Sequence, residues 1–253
     1  MNSKNLIDFY DSEADKTERY GSTNFWEKRY HKTRQAIIQN LLGRNALLNC
    51  DSFADIGCGT GEYLGFSRRF VHEVDGIDLS SRYLSRCKKW EPDGLASADV
   101  KFLPYRDRTF DCVLCSEVIE HVKELDEALN EVFRVARKFV LISTPNHGIL
   151  RTVVSGFSRK LVEQIDGRVG HINVMKFPLL LRRVRKDGWR IDVAFTSLIF
   201  PPLLDEIGIP KSVAPVIHAL EAGSNRLLTS QGSISFVLLV RDTSSVLPKD
   251  LEF

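Results

Sequence analysis

Three glycines and an aspartate in the first quarter of the chain are spaced to hold a small ligand. Gly57, Gly59 and Gly61 follow an apolar run, and Asp55 stands two positions before the first of them. A dinucleotide site has the spacing G-x-G-x-x-G, with a helix N-terminus facing a pyrophosphate. Here the spacing is G-x-G-x-G with a carboxylate at the lip, which favours a ligand carrying a cationic amine. The pattern therefore indicates S-adenosylmethionine.

Two further aspartates stand where the next two strands are expected to end. Asp78 ends the second predicted strand, and Asp99 follows a short third one. A carboxylate at the end of strand two can accept hydrogen bonds from both hydroxyls of a ribose. Because ligands of open α/β sheets bind at the carboxyl ends of the strands, this order supports a cofactor site. We expect Leu79 and Ser116, at the ends of strands two and four, to contact the cofactor as well.

A second group of residues could move a proton or hold a cation. Glu117, Glu120 and His121 follow the fourth predicted strand, and they share one face if a helix begins there. His121, with Glu117, is the candidate for taking a proton from a methyl acceptor. Three oxygen and nitrogen donors on one face can also bind a divalent cation. The alternative is that Glu120 and His121 only cap and pack the helix.

From Phe53 to Asn146 the chain resembles the class I S-adenosylmethionine-dependent methyltransferases, in the broad group of the ubiquinone and menaquinone methyltransferases. In that family the glycine turn wraps the methionine moiety, the acid after strand two holds the ribose, and an Asp after strand three reaches the adenine amine. Many members have a Lys-Pro-Gly-Gly turn before strand five, which residues 135–139 replace here. The resemblance implies cofactor binding by Asp55, Gly57, Gly59, Gly61, Asp78 and Asp99.

The same resemblance implies two finer roles. Arg34 is similar to the arginine that pairs with the cofactor carboxylate in quinone methyltransferases; a surface arginine is the alternative. Some small-RNA and quinone O-methyltransferases use an E-x-x-E-H segment and a later histidine to bind a metal that holds vicinal oxygens. His171 stands where that histidine would be. The candidate metal ligands are therefore Glu117, Glu120, His121 and His171.

Composition restricts the other possibilities. The 35 Lys and Arg against 33 Asp and Glu give a net charge of +2, so there is no basic excess to bind nucleic acid. Cys112 and Cys115 have C-x-x-C spacing but fall on a strand, where their side chains point to opposite faces and fill the core. Neither an apolar leader nor a run of about 20 apolar residues is present, so we expect a cytoplasmic protein. Peripheral membrane contact stays open.

The pattern of elements predicts the α/β class: a doubly wound, mostly parallel seven-stranded sheet with helices on both faces and a helical substrate lid. We expect a helical N-terminal cap over 1–50, with a helix from Asn24 to Leu42 that Gly43 ends. A Rossmann-like domain follows over 51–253. Its lid insertions are near 146–170 and 198–231. The strands are predicted near 52–56, 73–78, 95–98, 110–116, 138–143, 189–197 and 234–241.

These observations favour an enzyme that transfers a methyl group from S-adenosylmethionine to an oxygen or nitrogen atom. The acceptor is expected to be a small, partly hydrophobic metabolite, because both lid segments carry apolar stripes. The alternatives are an RNA or protein methyltransferase and a non-catalytic cofactor-binding partner protein. Tyr10, Tyr20, Phe25 and Trp26 either close over the cofactor or hold the first helix against the domain.

Overall fold

The computed structural model describes residues 8, 10–12, 24–148, 151–152, 156, 163, 167, 170–197, 199, 208–227 and 230–242. Within these ranges one seven-stranded sheet runs through the molecule. Its strands are β1 (Ser52–Ile56), β2 (Glu73–Asp78), β3 (Gly94–Ser97), β4 (Phe110–Ser116), β5 (Ala136–Pro145), β6 (Trp189–Ser197) and β7 (Ile234–Arg241). The predicted strands are therefore confirmed, with β5 longer at both ends and β3 shifted by one residue.

The strand order is β3-β2-β1-β4-β5-β7-β6. The first five strands pair in parallel, whereas β7 is antiparallel to both β5 and β6. The sheet is thus mostly parallel, as predicted. Because β1, β2 and β4 are adjacent and parallel, their carboxyl ends form one edge on which several side chains meet.

Helices cover both faces of the sheet. They are α1 (Phe25–Leu41), α2 (Glu62–Ser67), α3 (Ser81–Cys87), α4 (Leu125–Val135), α5 (Phe177–Arg183) and α6 (Ala214–Leu227). The strands bury side chains on both faces, and Cys112 and Cys115 illustrate this: both are fully buried, one in each of the two core clusters. Their predicted role as core residues is confirmed. No helix in the described ranges is long and apolar enough to cross a membrane.

The N-terminal helix differs from its prediction at the C-terminal end. Gly43 does not end the helical path, because a π-helical turn continues through it from Leu42 to Ala46. The buried face of α1 consists of Trp26, Arg34, Ile38 and Leu41. An arginine on that face needs a charged partner, since a buried unpaired charge is costly. Most of the first predicted lid insertion lies outside the described residues, and so does Tyr20, whereas the second contains α6.

Candidate active site

The glycine turn joins β1 to α2 and is held in place by β2. The backbone N–H groups of Gly57 and Cys58 donate to the Ile77 carbonyl at 2.7 and 3.0 Å. A Cβ atom on Gly57 would lie 2.2 Å from Val118 Cγ2, so nothing larger than glycine fits there. All three glycines adopt the left-handed conformation that glycine tolerates best, with φ of +73°, +53° and +81° at Gly57, Gly59 and Gly61.

Asp78, the last residue of β2, fixes both the turn and the start of α3. Its Oδ2 accepts from the Gly59 N–H at 2.9 Å, and its Oδ1 accepts from the Ser80 N–H at 2.8 Å. Ser80 is the N-cap of α3, as predicted, and its Oγ accepts from the Tyr83 N–H. The carboxylate thus joins the ends of β1 and β2 at one place.

An open cavity lies over these strand ends, with about 730 Å³ of space when the part open to solvent is counted. Its walls include Gly57, Gly59, Asp78, Leu79 and Asp99 from the predicted cofactor set. Tyr10, Val118 and Val122 also line it, together with Glu117 and His121.

Four residues of the predicted cofactor set lie outside this lining: Asp55, Gly61, Ser116 and Arg34. Asp55 is 1% exposed beneath the turn, and its Oδ2 has no hydrogen-bond partner. Burial, followed by the nearby Cys87 and Glu62, raises the pKa of its carboxyl well above the usual range. A protonated acid below the turn is a poor partner for a cationic amine.

Tyr10, in the short described segment 10–12 that precedes α1, lines the cavity. The Tyr10 ring meets the His121 ring edge-on, with the two centroids 5.7 Å apart. Asp11 accepts a hydrogen bond from the Ser80 hydroxyl at 2.5 Å. Tyr10 thus faces the cavity, and its role as a lid stays a prediction, whereas Trp26 is buried and donates to the Ile209 carbonyl.

The segment after β4 is not the helix that the spacing of its acidic residues predicts. Glu117 has φ of +57°, which is incompatible with a right-handed helix, and a single 3₁₀ turn follows from Ile119 to His121. The predicted common face of Glu117, Glu120 and His121 is therefore wrong. The left-handed residue stops a helix from starting at Glu117, and the tight turn begins only at Ile119, which periodicity alone does not reveal.

Glu120, His121 and His171 nevertheless come together, without Glu117. Each offers one atom, and these three atoms lie within 4.8 Å of one another. Glu120 Oε1 is 3.8 Å from His121 Nε2 and 4.0 Å from His171 Nε2. The backbone N–H groups of Ile172 and Asn173 donate to the Glu120 carbonyl at 2.8 and 2.9 Å, which fixes the position of His171.

The Glu120 side chain is fully buried. Its Oε2 accepts from Thr144 Oγ1 at 3.1 Å, while Oε1 has no hydrogen-bond partner. Burial is the main cause, and Glu117 the next, of a pKa well above the usual range for this carboxyl. The group therefore favours its protonated form unless a positive charge binds beside it.

His121 is oriented by the loop that carries His171. Its Nδ1 lies 3.0 Å from the Gly170 carbonyl oxygen. Because a carbonyl only accepts, we assign the proton of the neutral ring to Nδ1, which leaves the lone pair on Nε2. Nε2 is then able to take a proton or bind a cation.

Arg34 points inward from α1. It is 8% exposed, and its Nη1 lies 3.2 Å from Glu117 Oε2. The alternative of a surface arginine is therefore wrong. The Tyr30 ring lies 5.8 Å from the guanidinium carbon, so the cation also contacts an aromatic face.

The amino-acid sequence is similar to those of known methyltransferases. A family model described as "Methyltransferase domain" matches residues 54–141, which include the glycine turn, Asp78 and the segment after β4. The chain is 31% identical over 179 residues to the malonyl-[acyl-carrier protein] O-methyltransferase of Erwinia pyrifoliae, covering 69% of this chain and 66% of that one. It is also 28% identical to an uncharacterized protein of Methanocaldococcus jannaschii, over 74% of this chain and 77% of the other.

The overall fold is also similar to that of a solved methyltransferase structure. The crystal structure of the magnesium protoporphyrin IX methyltransferase of Synechocystis with bound SAH superposes with a TM-score of 0.63 at 18% identity. The match covers 94% of this chain and 99% of the other. With the matching methyltransferase domain and the O-methyltransferase relative, the chain is an S-adenosylmethionine-dependent methyltransferase. Within that type of enzyme it is of class I, as its mostly parallel sheet and glycine turn indicate.

Proposed function

We propose that this methyltransferase transfers the methyl group of S-adenosylmethionine to an oxygen or nitrogen atom of a small, partly hydrophobic metabolite. The O-methyltransferase of Erwinia pyrifoliae is a relative with such an acceptor atom. Val118 and Val122 supply apolar wall beside the candidate base. A net charge of +2 gives little attraction for RNA, the alternative acceptor. The narrower assignment to the ubiquinone and menaquinone group stays a prediction.

The observation that carries this proposal is the orientation of His121. In the reaction, the acceptor atom forms a bond to the methyl carbon while the bond from carbon to sulfur breaks, and the sulfur leaves as a neutral thioether. The acceptor's proton passes to His121 Nε2. This atom carries the lone pair of the neutral ring, because the ring proton is on Nδ1, which contacts the Gly170 carbonyl. The protein otherwise supplies alignment and a dry site. Glu117 is less suited than His121 to the predicted role of base, because its carboxylate is paired with Arg34.

The test is methyl transfer from labelled S-adenosylmethionine to fractions of a metabolite extract. Activity should appear in a small-molecule fraction, and His121→Ala should lower kcat by about 100-fold or more, as expected for loss of a general base. His72→Ala, which changes an exposed histidine before β2, is the matched control. Transfer only to RNA or protein would refute the proposed acceptor class, and full activity of His121→Ala would refute the base.

A second candidate role for His121 is to hold a divalent cation together with Glu120 and His171, at the edge of the cavity. The unpartnered Glu120 Oε1 beside two histidine nitrogens favours it. The carbonyl contact of His121 Nδ1 is the kind of outer contact that orients a metal-ligating histidine. A bound cation would neutralise the buried carboxylate and could hold an oxygen-rich acceptor.

The two roles of His121 give different results with a chelator. If a cation is used, exhaustive chelation abolishes turnover, a divalent metal restores it, and Glu120→Gln weakens metal binding measured by calorimetry without substrate. Turnover that survives chelation leaves His121 as the base and refutes the metal site. The same chelation series therefore decides between the two.

A further inference from the structure

Residues 172–186 combine positive charge with aliphatic side chains. These fifteen residues include five lysines and arginines and no aspartate or glutamate, whereas the whole chain has a net charge of only +2. The function proposed above uses none of these cations. A local excess of this kind beside aliphatic residues is typical of a surface that binds an anionic partner.

The structure divides this segment into an inner and an outer side. Phe177, Leu180 and Val184 are buried in one of the two core clusters and anchor α5 on the sheet. On the outer side, Leu179 is 44% exposed, and Ile172, which precedes α5, is 59% exposed. Two aliphatic side chains therefore face solvent on a segment that its inner side already holds in place.

Three of the five cations have no carboxylate partner. Lys176, Arg182 and Arg185 are exposed and form no ion pair with any residue that the structure describes. Lys176 and Arg182 stand three positions before and after Leu179, so these side chains project from one face of the segment. The outer side thus presents an aliphatic group between unpaired positive charges.

Contacts with α4 hold the other two cations. Arg183 pairs with Asp126 at 2.6 Å, and Lys186 donates to Asn130 Oδ1 at 2.8 Å. These contacts fix α5 alongside α4, so the unpaired cations keep a defined place on the surface.

The segment begins at the edge of the sheet on which the cavity lies. Met175 pairs with Asn146, which follows β5, and the Phe177 N–H donates to Asn146 Oδ1 at 2.8 Å. The Ile172 N–H donates to the carbonyl of Glu120, after β4, at 2.8 Å. Because the carboxyl ends of β4 and β5 are neighbours at this edge, the start of the outer side lies beside the candidate active site.

An anionic membrane surface fits these features better than a nucleic acid does. Surfaces that bind single-stranded nucleic acids add aromatic side chains on which the bases stack. The one aromatic residue of the segment, Phe177, is buried. Aliphatic side chains between cations instead enter the boundary between lipid headgroups and acyl chains. Clusters of about four to eight lysines and arginines are typical of sites for anionic lipids.

We propose that the outer side of residues 172–186 docks this methyltransferase on a membrane that contains anionic lipids. The unpaired cations lie among the lipid phosphates, and Leu179 and Ile172 enter the interface. The docking itself needs neither cofactor nor acceptor. Its use rests on the proposed function, because a partly hydrophobic acceptor would then pass from the bilayer to the neighbouring cavity without crossing water.

The test is flotation of the full chain with two kinds of vesicle. One is phosphatidylcholine alone, and the other is equal parts of phosphatidylcholine and phosphatidylglycerol. We expect binding to the anionic vesicles only, and weaker binding as salt screens the charges. Each cation at such a surface strengthens binding about fivefold, equivalent to about 1 kcal/mol. The triple variant Lys176→Gln, Arg182→Gln, Arg185→Gln should therefore bind about 100-fold more weakly.

The control variant replaces Arg44, Lys88 and Arg106, which are exposed elsewhere on the molecule, with glutamine. It lowers the net charge by the same amount, and it should bind the anionic vesicles less than threefold more weakly than the wild type. Leu179→Ser should weaken binding severalfold, and it serves as an independent test if the triple variant unfolds.

Several results would overturn the proposal. They are equal binding to both kinds of vesicle, no binding to either, an equal loss in the control variant, and unchanged binding by Leu179→Ser. Tighter binding of a single-stranded RNA probe than of the anionic vesicles would also overturn it and would assign the surface to nucleic acid. The assay contains neither cofactor nor acceptor, so none of these results bears on the proposed methyl transfer.

Discussion

Asp78 is the residue whose replacement should separate cofactor binding from folding most clearly. We predict that Asp78→Ala lowers the affinity for S-adenosylhomocysteine while leaving a folded protein. The carboxylate accepts from the backbone N–H groups of Gly59 and Ser80 and also faces the cavity. Its removal would therefore delete the predicted ribose contact and loosen the glycine turn together.

The magnitude follows from the number of hydrogen bonds. A hydrogen bond to a charged group contributes about 1.5–3 kcal/mol, so losing the ribose contact alone weakens binding about tenfold to 100-fold. The loosened turn adds to that loss. Stability should fall by about 1.5–3 kcal/mol, because two backbone N–H groups lose a charged acceptor and water replaces it in part at this partly exposed position. For a chain of this size each kcal/mol lowers Tm by about 2–4 °C.

Calorimetric titration with S-adenosylhomocysteine and thermal unfolding measure the two effects on one sample. Asp93→Ala is the matched control, because Asp93 also accepts two hydrogen bonds, from Val74 N–H at 2.7 Å and Arg68 at 2.8 Å. It lies beside the start of β2 and not at its carboxyl end, so it should cost stability without affinity. Unchanged affinity in a folded Asp78→Ala protein, or an equal loss in the control, would refute the reasoning.

Four further variants test the packing around the glycine turn and between α6 and α1. In urea unfolding, Gly57→Ala should destabilise the protein more than Gly59→Ala, because a Cβ meets Val118 at the first position and open space at the second. Gly59→Ala should cost only the strain of positive φ, about 1–2 kcal/mol. Burial raises the pKa of Asp55, so the folded state keeps a proton that the unfolded chain loses near pH 4, and stability falls as pH rises above that value. Asp55→Asn should therefore show a shallower fall in urea midpoint between pH 4 and 8, and an identical slope would contradict this assignment. Glu221→Ala removes the nearly buried partner of Arg29 that holds α6 against α1. It should lower the free energy of unfolding by about 3 kcal/mol and speed hydrogen exchange in 214–223. Unchanged exchange would show that α6 is held by other contacts.

The sheet could be predicted from the sequence because its central strands are compact and largely apolar. The β4 run from Phe110 to Ser116 is buried at every position, as a central strand with two covered faces should be. The end of α1 could not be predicted in the same way. Glycine is a common helix terminator, but the turn through Gly43 remains helical because Leu42 and Ala46 on either side are fully buried.

The candidate site was predictable where it lies on strand ends. Asp78 and the glycine turn stand where sequence order and sheet topology require them. The segment from Glu117 to His121 was not, since helical spacing is only one of several ways to bring such residues together. A left-handed backbone at Glu117 and a contact with the loop at Gly170 bring His121 and His171 together. Neither feature leaves a periodic signal in the sequence.

The arrangement of the parallel strands also ties the lifetime of this protein to cofactor supply. The cavity walls come from the ends of β1, β2 and β4 and from the loop after β3, and parallel strands pair only through long crossovers. An unfolded or half-assembled chain therefore lacks the site, and the ligand binds only the native state. Cofactor at 100 times its Kd adds about 2.7 kcal/mol to the free energy of unfolding and lowers the unfolded population about 100-fold. Cells short of S-adenosylmethionine would then lose the enzyme to proteolysis sooner, in addition to losing its activity.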